Sequence, residues 1–241
     1  MFLLIAVAAG GVSFVANARK RRRDEAARGS LVDAALNDRS QRAHAIGRLQ
    51  WQLRELKEQR DRVGPVFGAT YKEGYALQLV DTRFAIARLL LADDRAEEAL
   101  AEVQQTELEE LFDERYSTRA LLLFEARLLL RRWDDAEGTF ARYPHFIEGA
   151  VLADAQARLR LGRGDADGAW AALGAAVDGE PDVMRLTRAR VLAALGRSPD
   201  EVFRLLATQP RDALQAFSRR HADEPAAAVA RRILDDAGPY R

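Results

Sequence analysis

The chain has 241 residues, 48% of them hydrophobic and 31% charged, which is enough apolar sequence for a buried core and excludes a disordered tail. Its 37 basic and 37 acidic residues balance, which excludes the general positive charge of a nucleic-acid-binding domain. It contains no cysteine, which excludes disulfide frameworks, thiolate metal sites and cysteine nucleophiles.

The N-terminus carries an apolar run, residues 2–16, and five consecutive cations follow it. These cations are Arg19, Lys20, Arg21, Arg22 and Arg23. A helix over residues 1–18 is roughly 27 Å long, close to the roughly 30 Å hydrocarbon core of a bilayer. The run therefore predicts a transmembrane anchor at 1–18. Cations at the membrane surface predict a single-pass inner (cytoplasmic) membrane protein with its C-terminal domain in the cytoplasm.

A cleaved secretory signal is the alternative interpretation of the same run, and it predicts an exported protein. Ala16, Asn17 and Ala18 have the small-x-small form of a cleavage site. However, no basic residue precedes the apolar run, and the cations lie where they hinder export of the mature N-terminus. The uncleaved anchor is therefore favoured, and residues 19–29 are predicted to form a basic juxtamembrane linker.

Residues 30–63 are predicted to form one long amphipathic helix, with Ser30 as its N-cap. Four apolar side chains fall on the seam positions of a heptad repeat and are candidates for self-association as a coiled coil. They are Ile46, Leu49, Leu53 and Leu56. Only two heptads have apolar residues at both seam positions, and Trp51 lies away from the seam. Packing of Trp51 against the next helix explains its position better than an isolated coiled coil does.

Residues 64–241 are predicted to be a domain of helical hairpins, because strand signals are nearly missing and one junction pattern recurs. A leucine ends a first helix, a short turn reverses the chain, and acidic residues open a second helix. A small residue then marks the closest approach of the two helices, and a bulky residue follows four positions later. The small positions, spaced by 37, 33 and 33 residues, are Ala99, Ala136, Ala169 and Val202.

At these residues the chain resembles the tetratricopeptide repeat superfamily, and its layout is similar to the bacterial single-span, membrane-anchored type. The best matching segment is 167–170 with Leu173, Ala176 and Pro181. The family's first-helix motif positions are largely unmatched. The resemblance implies an all-α fold: after the anchor and the long helix comes a TPR-like α-solenoid whose first helices line a groove for protein segments.

The hairpin frame also predicts which residues line the binding groove and which hairpin caps the array. Candidate groove residues on the first helices are Arg88, Glu125, Arg158 and Arg188. Three arginines suit the carboxylates of an acidic peptide or a free C-terminus, and salt bridges within the solenoid are the alternative use. Trp133 and Trp170 are predicted to be buried between helices. A last hairpin, 211–241, is predicted to cap the array, with Pro225 opening its second helix.

No pattern in the chain points to catalysis, a cofactor or a metal. Its three histidines are far apart, and none has a second ligand three or four residues away. The glycines of residues 162–168 follow a helical segment instead of a strand, so they predict a turn and not a dinucleotide loop. The chain is therefore predicted to be a membrane-anchored, non-catalytic scaffold that recruits or organises protein partners. The alternative is an oligomeric structural subunit of a large membrane-associated complex, self-associating through 30–63.

Overall fold

The structure, a computed structural model of the chain, describes the residues 22–63, 68–106, 113–143, 149–174 and 181–236. Within these ranges every regular element is an α-helix, which confirms the predicted all-α class. The chain divides into two compact units, Met1–Leu111 (unit 1) and Phe112–Arg241 (unit 2).

The prediction of a membrane-spanning fold is wrong for the part of the chain that the structure describes. None of the helices in that part is both long enough and apolar enough to cross a bilayer. The longest, Gly68–Ala92, carries five charged residues. The predicted inner-membrane, single-pass location is corrected on the same finding. The proposed anchor itself, 1–18, lies outside the described residues, as do Arg19, Lys20 and Arg21, whereas Arg22 and Arg23 are exposed at the start of a helix.

The described part of unit 1 consists of four helices. They are α1 (22–37), α2 (Arg39–Arg62), α3 (Gly68–Ala92) and α4 (Ala96–Gln104). Helix α3 packs against both α2 and α4. Arg28 ties α1 to α3 as well, because its guanidinium donates to the carbonyl of Gln78 (3.1 Å) and the hydroxyl of Thr82 (2.9 Å).

Residues 30–63 form parts of two helices instead of the one that the sequence predicts. The break is at Asp38, whose carboxylate caps α2 by accepting from the amide (2.9 Å) and hydroxyl (2.7 Å) of Ser40 and from Gln41 (2.8 Å). These hydrogen bonds hold the pKa of Asp38 below its ordinary value. Ser30, the expected N-cap, lies inside α1, so this cap was assigned to the wrong residue.

The predicted self-association seam is buried inside unit 1, where α2 packs along α3. Its four residues are all at most 7% exposed: Ile46, Leu49, Leu53 and Leu56. Trp51 is 57% exposed, so the expectation that it packs on the next helix is wrong. Arg42, which also falls on the seam, is buried and donates to the carbonyls of Ala35, Leu36 and Ala92 (3.0, 3.0 and 2.6 Å). It therefore clamps the end of α1 to the end of α3.

The described part of unit 2 is a succession of four helical hairpins. They are α5 (Asp113–Leu129) with α6 (Trp133–Arg142), α7 (Gly149–Gly162) with α8 (Ala166–Leu173), α9 (Asp182–Ala194) with α10 (Pro199–Leu206), and α11 (Arg211–Arg220) with α12 (Pro225–Asp236). The two helices of each hairpin pack together, and α6 contacts α7 just as α8 contacts α9. Pro225 opens α12, as predicted.

One turn geometry joins α3 to α4, α5 to α6, α7 to α8 and α9 to α10. A single residue in each turn has a positive φ, between 56° and 83°: Asp94, Arg131, Gly164 and Gly196. Its amide donates to the carbonyl three residues earlier, and the next amide donates to the carbonyl five residues earlier, at 2.9–3.2 Å. This is the Schellman motif that closes helix C-termini. The segment 162–168 is thus an inter-helix turn, as predicted.

The small residues that follow these turns are all at most 1% exposed, which confirms the predicted repeat of helical hairpins: Ala99, Ala136, Ala169 and Val202. Trp133 packs on a core cluster with Phe124, Ala136, Ala155 and Leu159. Trp170, however, is 37% exposed, so the prediction that it is buried between helices is wrong.

Candidate functional site

The first helices place charged side chains at one repeated position, six residues before the positive-φ residue of the turn. In unit 2 this position is held by Glu125 of α5, Arg158 of α7 and Arg190 of α9. The sequence frame counts back from the small residue, which in the fourth repeat leads from Val202 to Val191, and it takes Arg188 as the charged residue close by. The turn before α10 contains one more residue than the other turns, so counting from the turn residue leads to Arg190 instead.

Glu125 and Arg158 form a two-pronged ion pair between α5 and α7. Arg158 Nη2 lies 2.6 Å from Glu125 Oε2, and Arg158 Nη1 donates to Glu125 Oε1. Burial alone would raise the pKa of Glu125, but the charge and hydrogen bonds of Arg158 outweigh it and hold that pKa below its ordinary value. The guanidinium also lies over the ring of Phe124, 5.9 Å from its centroid. Arg158 therefore forms a salt bridge within unit 2, which is the alternative use predicted from the sequence for the groove arginines.

Asp154, one turn before Arg158 on α7, is a buried carboxyl with an incomplete set of partners. Its Oδ2 lies 3.7 Å from Arg158 Nη1, and Thr187 of α9 hydrogen bonds to its side chain. Its Oδ1 has no hydrogen-bond partner among the described residues. Burial raises the pKa of Asp154 above its ordinary value, and Arg158 and Thr187 offset only part of this effect.

Arg190 continues the charged row by pairing with Glu224, which immediately precedes α12. Arg190 Nε and Nη2 donate to the two carboxylate oxygens of Glu224, both at 2.7 Å. His221 Nδ1 lies 3.0 Å from Glu224 Oε1. Burial opposes the ionisation of Glu224, but the bonds from His221 and Arg190 prevail and lower its pKa to about 2. Burial also lowers the pKa of His221, despite the neighbouring carboxylate.

Neither of the two remaining predicted groove residues belongs to the row in unit 2. Arg188 is 2% exposed, donates to the carbonyl of Gly174 (3.0 Å) and places its guanidinium 5.2 Å from the ring centroid of Trp170. Arg88 lies in unit 1 and is exposed. Among the predicted residues of unit 2, the structure therefore pairs Glu125 with Arg158 and gives Arg188 other contacts.

Two exposed valines lie on the same side of the first helices as the arginines. Val151 of α7 and Val183 of α9 are 49% and 51% exposed, and each comes seven residues, two helical turns, before its arginine. We call the surface formed by the six residues the α7–α9 face: Val151, Asp154, Arg158, Val183, Thr187 and Arg190. Sequence reasoning missed the valines, although alignment of the repeats on their turn residues places both at one position.

A metal site and a ligand cavity are the other kinds of site to consider in the described residues. No group of three or more His, Asp or Glu residues there is arranged to hold a metal ion. A cavity of about 390 Å³ lies between α6 and α7, and its lining includes the apolar Phe140 and Leu159 and the charged Arg160 and Arg163. Arg163 also bridges Asp134 and Glu137, at 2.8 Å each, so this opening is part of the ordinary contact between successive hairpins.

Comparisons with known proteins assign neither a family nor a function to the chain. No protein-family model matches the chain, no curated protein matches it, and no solved structure matches it. The resemblance to the tetratricopeptide repeat superfamily therefore stays a prediction that rests on the junction residues alone.

Proposed function

We propose that the chain is a non-catalytic scaffold of the tetratricopeptide type, and that unit 2 holds a segment of a partner protein against the α7–α9 face. The observation that carries this proposal is the pair of half-exposed valines, each on the same side of its helix as an ion-paired arginine. Protein-binding surfaces combine such an apolar centre with a polar rim that supplies hydrogen bonds and excludes mismatched partners.

The ion pairs support this proposal by fixing the face before a partner arrives. Glu125 with Arg158 ties α5 to α7, and Arg190 with Glu224 ties α9 to the start of α12. A surface that is already ordered loses little conformational entropy when it binds. The same pairs argue against recognition of an acidic peptide, because Glu125 and Glu224 already occupy the two arginines. The partner segment is therefore expected to contribute apolar side chains over the valines.

The oligomeric-subunit alternative receives no support from the residues first proposed for it. Ile46, Leu49, Leu53 and Leu56 are buried in unit 1 and do not present a surface to a second chain.

The proposal is tested by replacing both valines with serine in the full chain, V151S/V183S, and capturing partners from native extracts after chemical cross-linking. The wild-type chain is expected to capture one or a few defined proteins, and the double variant is expected to lose them. Phe203→Ser is the matched control, because Phe203 is 41% exposed on the second helix α10. Equal melting temperatures establish that all three proteins are folded.

Two outcomes contradict the proposal. Partners retained by V151S/V183S show that the valines do not form the contact. Partners lost equally in Phe203→Ser show that binding depends on some general property of unit 2 and not on the α7–α9 face.

A further inference from the structure

The outer surface of α2 presents a regular stripe that nothing in the proposed function uses. Its residues are spaced alternately by four and three positions and are all exposed: Ser40, His44, Gly47, Trp51, Arg54 and Glu58. Such spacing puts them in a line along the helix, as in the seam of a coiled coil. Trp51, at 57%, has the highest exposure of the large hydrophobic residues in the described part of the chain.

Gly47 makes a notch in this stripe, one turn before Trp51. A Cβ at this position would meet no atom within 4 Å, so packing within the fold does not require a glycine here. Glycine in a helix interior costs about 0.5–1 kcal/mol relative to alanine. The stripe thus carries the exposed indole of Trp51 and, one turn away, a glycine that lowers the stability of α2 and that packing within the fold does not require.

The order of the stripe is self-complementary when two copies of α2 run antiparallel. With a two-fold axis level with Leu49, each Trp51 faces Gly47 of the second copy, and the contact is made twice. The same axis sets His44 opposite Arg54 and Ser40 opposite Glu58. Parallel pairing instead sets Arg54 against Arg54 and Glu58 against Glu58, which like-charge repulsion disfavours.

We propose that α2 docks antiparallel on α2 of a second copy of this chain, with each Trp51 filling the notch at Gly47 of the other. This surface lies on the opposite side of α2 from the buried seam that the sequence suggested, and it is independent of the α7–α9 face. A tryptophan buries about 150–250 Å². Two of them, with the flanking polar pairs, supply less than the roughly 1,600 Å² of a standard interface, so the dimer is weak and depends on concentration.

Sedimentation velocity of the full chain tests the pairing over a concentration range from about 1 to about 500 µM. The wild type is expected to pass from monomer to dimer over this range. Gly47→Leu fills the notch and also improves helix propensity, so it is expected to remain folded and to weaken dimerisation at least about tenfold. Gly138→Leu is the matched control, because Gly138 is also exposed inside a helix with nothing within 4 Å of a Cβ.

The orientation is tested with spin labels, which is simple because the chain has no cysteine. Labels at Glu58→Cys lie eighteen residues apart along the paired helices in the antiparallel dimer, roughly 27 Å. A parallel pair would hold them at roughly the 10 Å separation of packed helix axes. A monomer at every concentration, a Gly47→Leu dimer as tight as wild type, or a label distance near 10 Å would each overturn the proposal.

Discussion

Replacing Gly162 with alanine is the sharpest test of how successive hairpins pack in unit 2. Gly162 ends α7, and the indole of Trp133, at the start of α6, lies directly against it. A Cβ at Gly162 would be 2.6 Å from Trp133 Cζ3 and 2.7 Å from Cη2. Carbon atoms in contact are normally about 3.5–4.0 Å apart, so the ring must move by about 1 Å or the two helices must separate.

The expected cost follows from this overlap. Overpacking in a well-packed core costs about 1–3 kcal/mol, whereas the better helix propensity of alanine returns at most about 1 kcal/mol and less at a helix end. Trp133 packs on Phe124, Ala155 and Leu159, so a displaced ring disturbs that cluster as well. A net loss of about 1–2 kcal/mol lowers the melting temperature of a domain of this size by about 3–8 °C.

Thermal unfolding followed by circular dichroism measures the effect, with Gly138→Ala as its counterpart. Gly138 lies inside α6 with nothing within 4 Å of a Cβ, so the same substitution there is expected to raise the melting temperature. The two variants should therefore shift stability in opposite directions. A Gly162→Ala protein as stable as the wild type would refute the packing of Trp133 on α7.

Three further predictions concern the polar contacts. Asp154→Asn is expected to stabilise the fold at pH 7. The pKa of Asp154 is raised in the folded protein, so the wild type loses stability as pH rises from about 3.8 through that pKa. The melting temperatures of the variant and the wild type should therefore converge near pH 3. Glu224→Gln is expected to cost about 1–2 kcal/mol at pH 7, a value reduced for the partial exposure of the carboxylate. Since the pKa of Glu224 is lowered to about 2, that difference should shrink as pH falls from about 4.5 towards 2. Arg42→Met is expected to lower the free energy of unfolding, measured in urea, by about 2–4 kcal/mol, because three carbonyls lose their hydrogen-bond donor. Arg39→Met is its control and should lower that free energy by less than about 0.5 kcal/mol, because the side chain of Arg39 is 64% exposed. Equal effects of the two arginine variants, or pH profiles that stay parallel to the wild type, would contradict these assignments.

The helical class and the hairpin repeat were predictable because their signals are local. A Schellman turn requires a positive φ at one residue and hydrogen bonds that reach back three and five residues. The small residue that follows, such as Ala136 or Ala169, lies within five positions of that turn. A pattern this short is visible in the sequence as a recurring junction, and the structure uses the junction in both units.

The candidate site was only partly predictable, because its contacts join residues one whole repeat apart. Glu125 meets Arg158 across 33 residues, and Arg190 meets Glu224 across 34. A one-residue difference in a turn moves the predicted position from Arg190 to Val191, and the nearby Arg188 that the frame takes places its guanidinium against Trp170 instead. Charge and spacing therefore identify candidates for the row, but the packing of neighbouring helices selects its members.

The sequence by itself determined that this chain folds into α-helical hairpins, since helix propensity, turn residues and small contact positions act within a few residues of one another. Only the tertiary structure decided that the heptad leucines of α2 are buried against α3 and that Trp51 and Trp170 are exposed. The reason is physical: the same apolar side chain gains a similar free energy from any apolar partner, so its surroundings depend on which surface the complete fold brings to it.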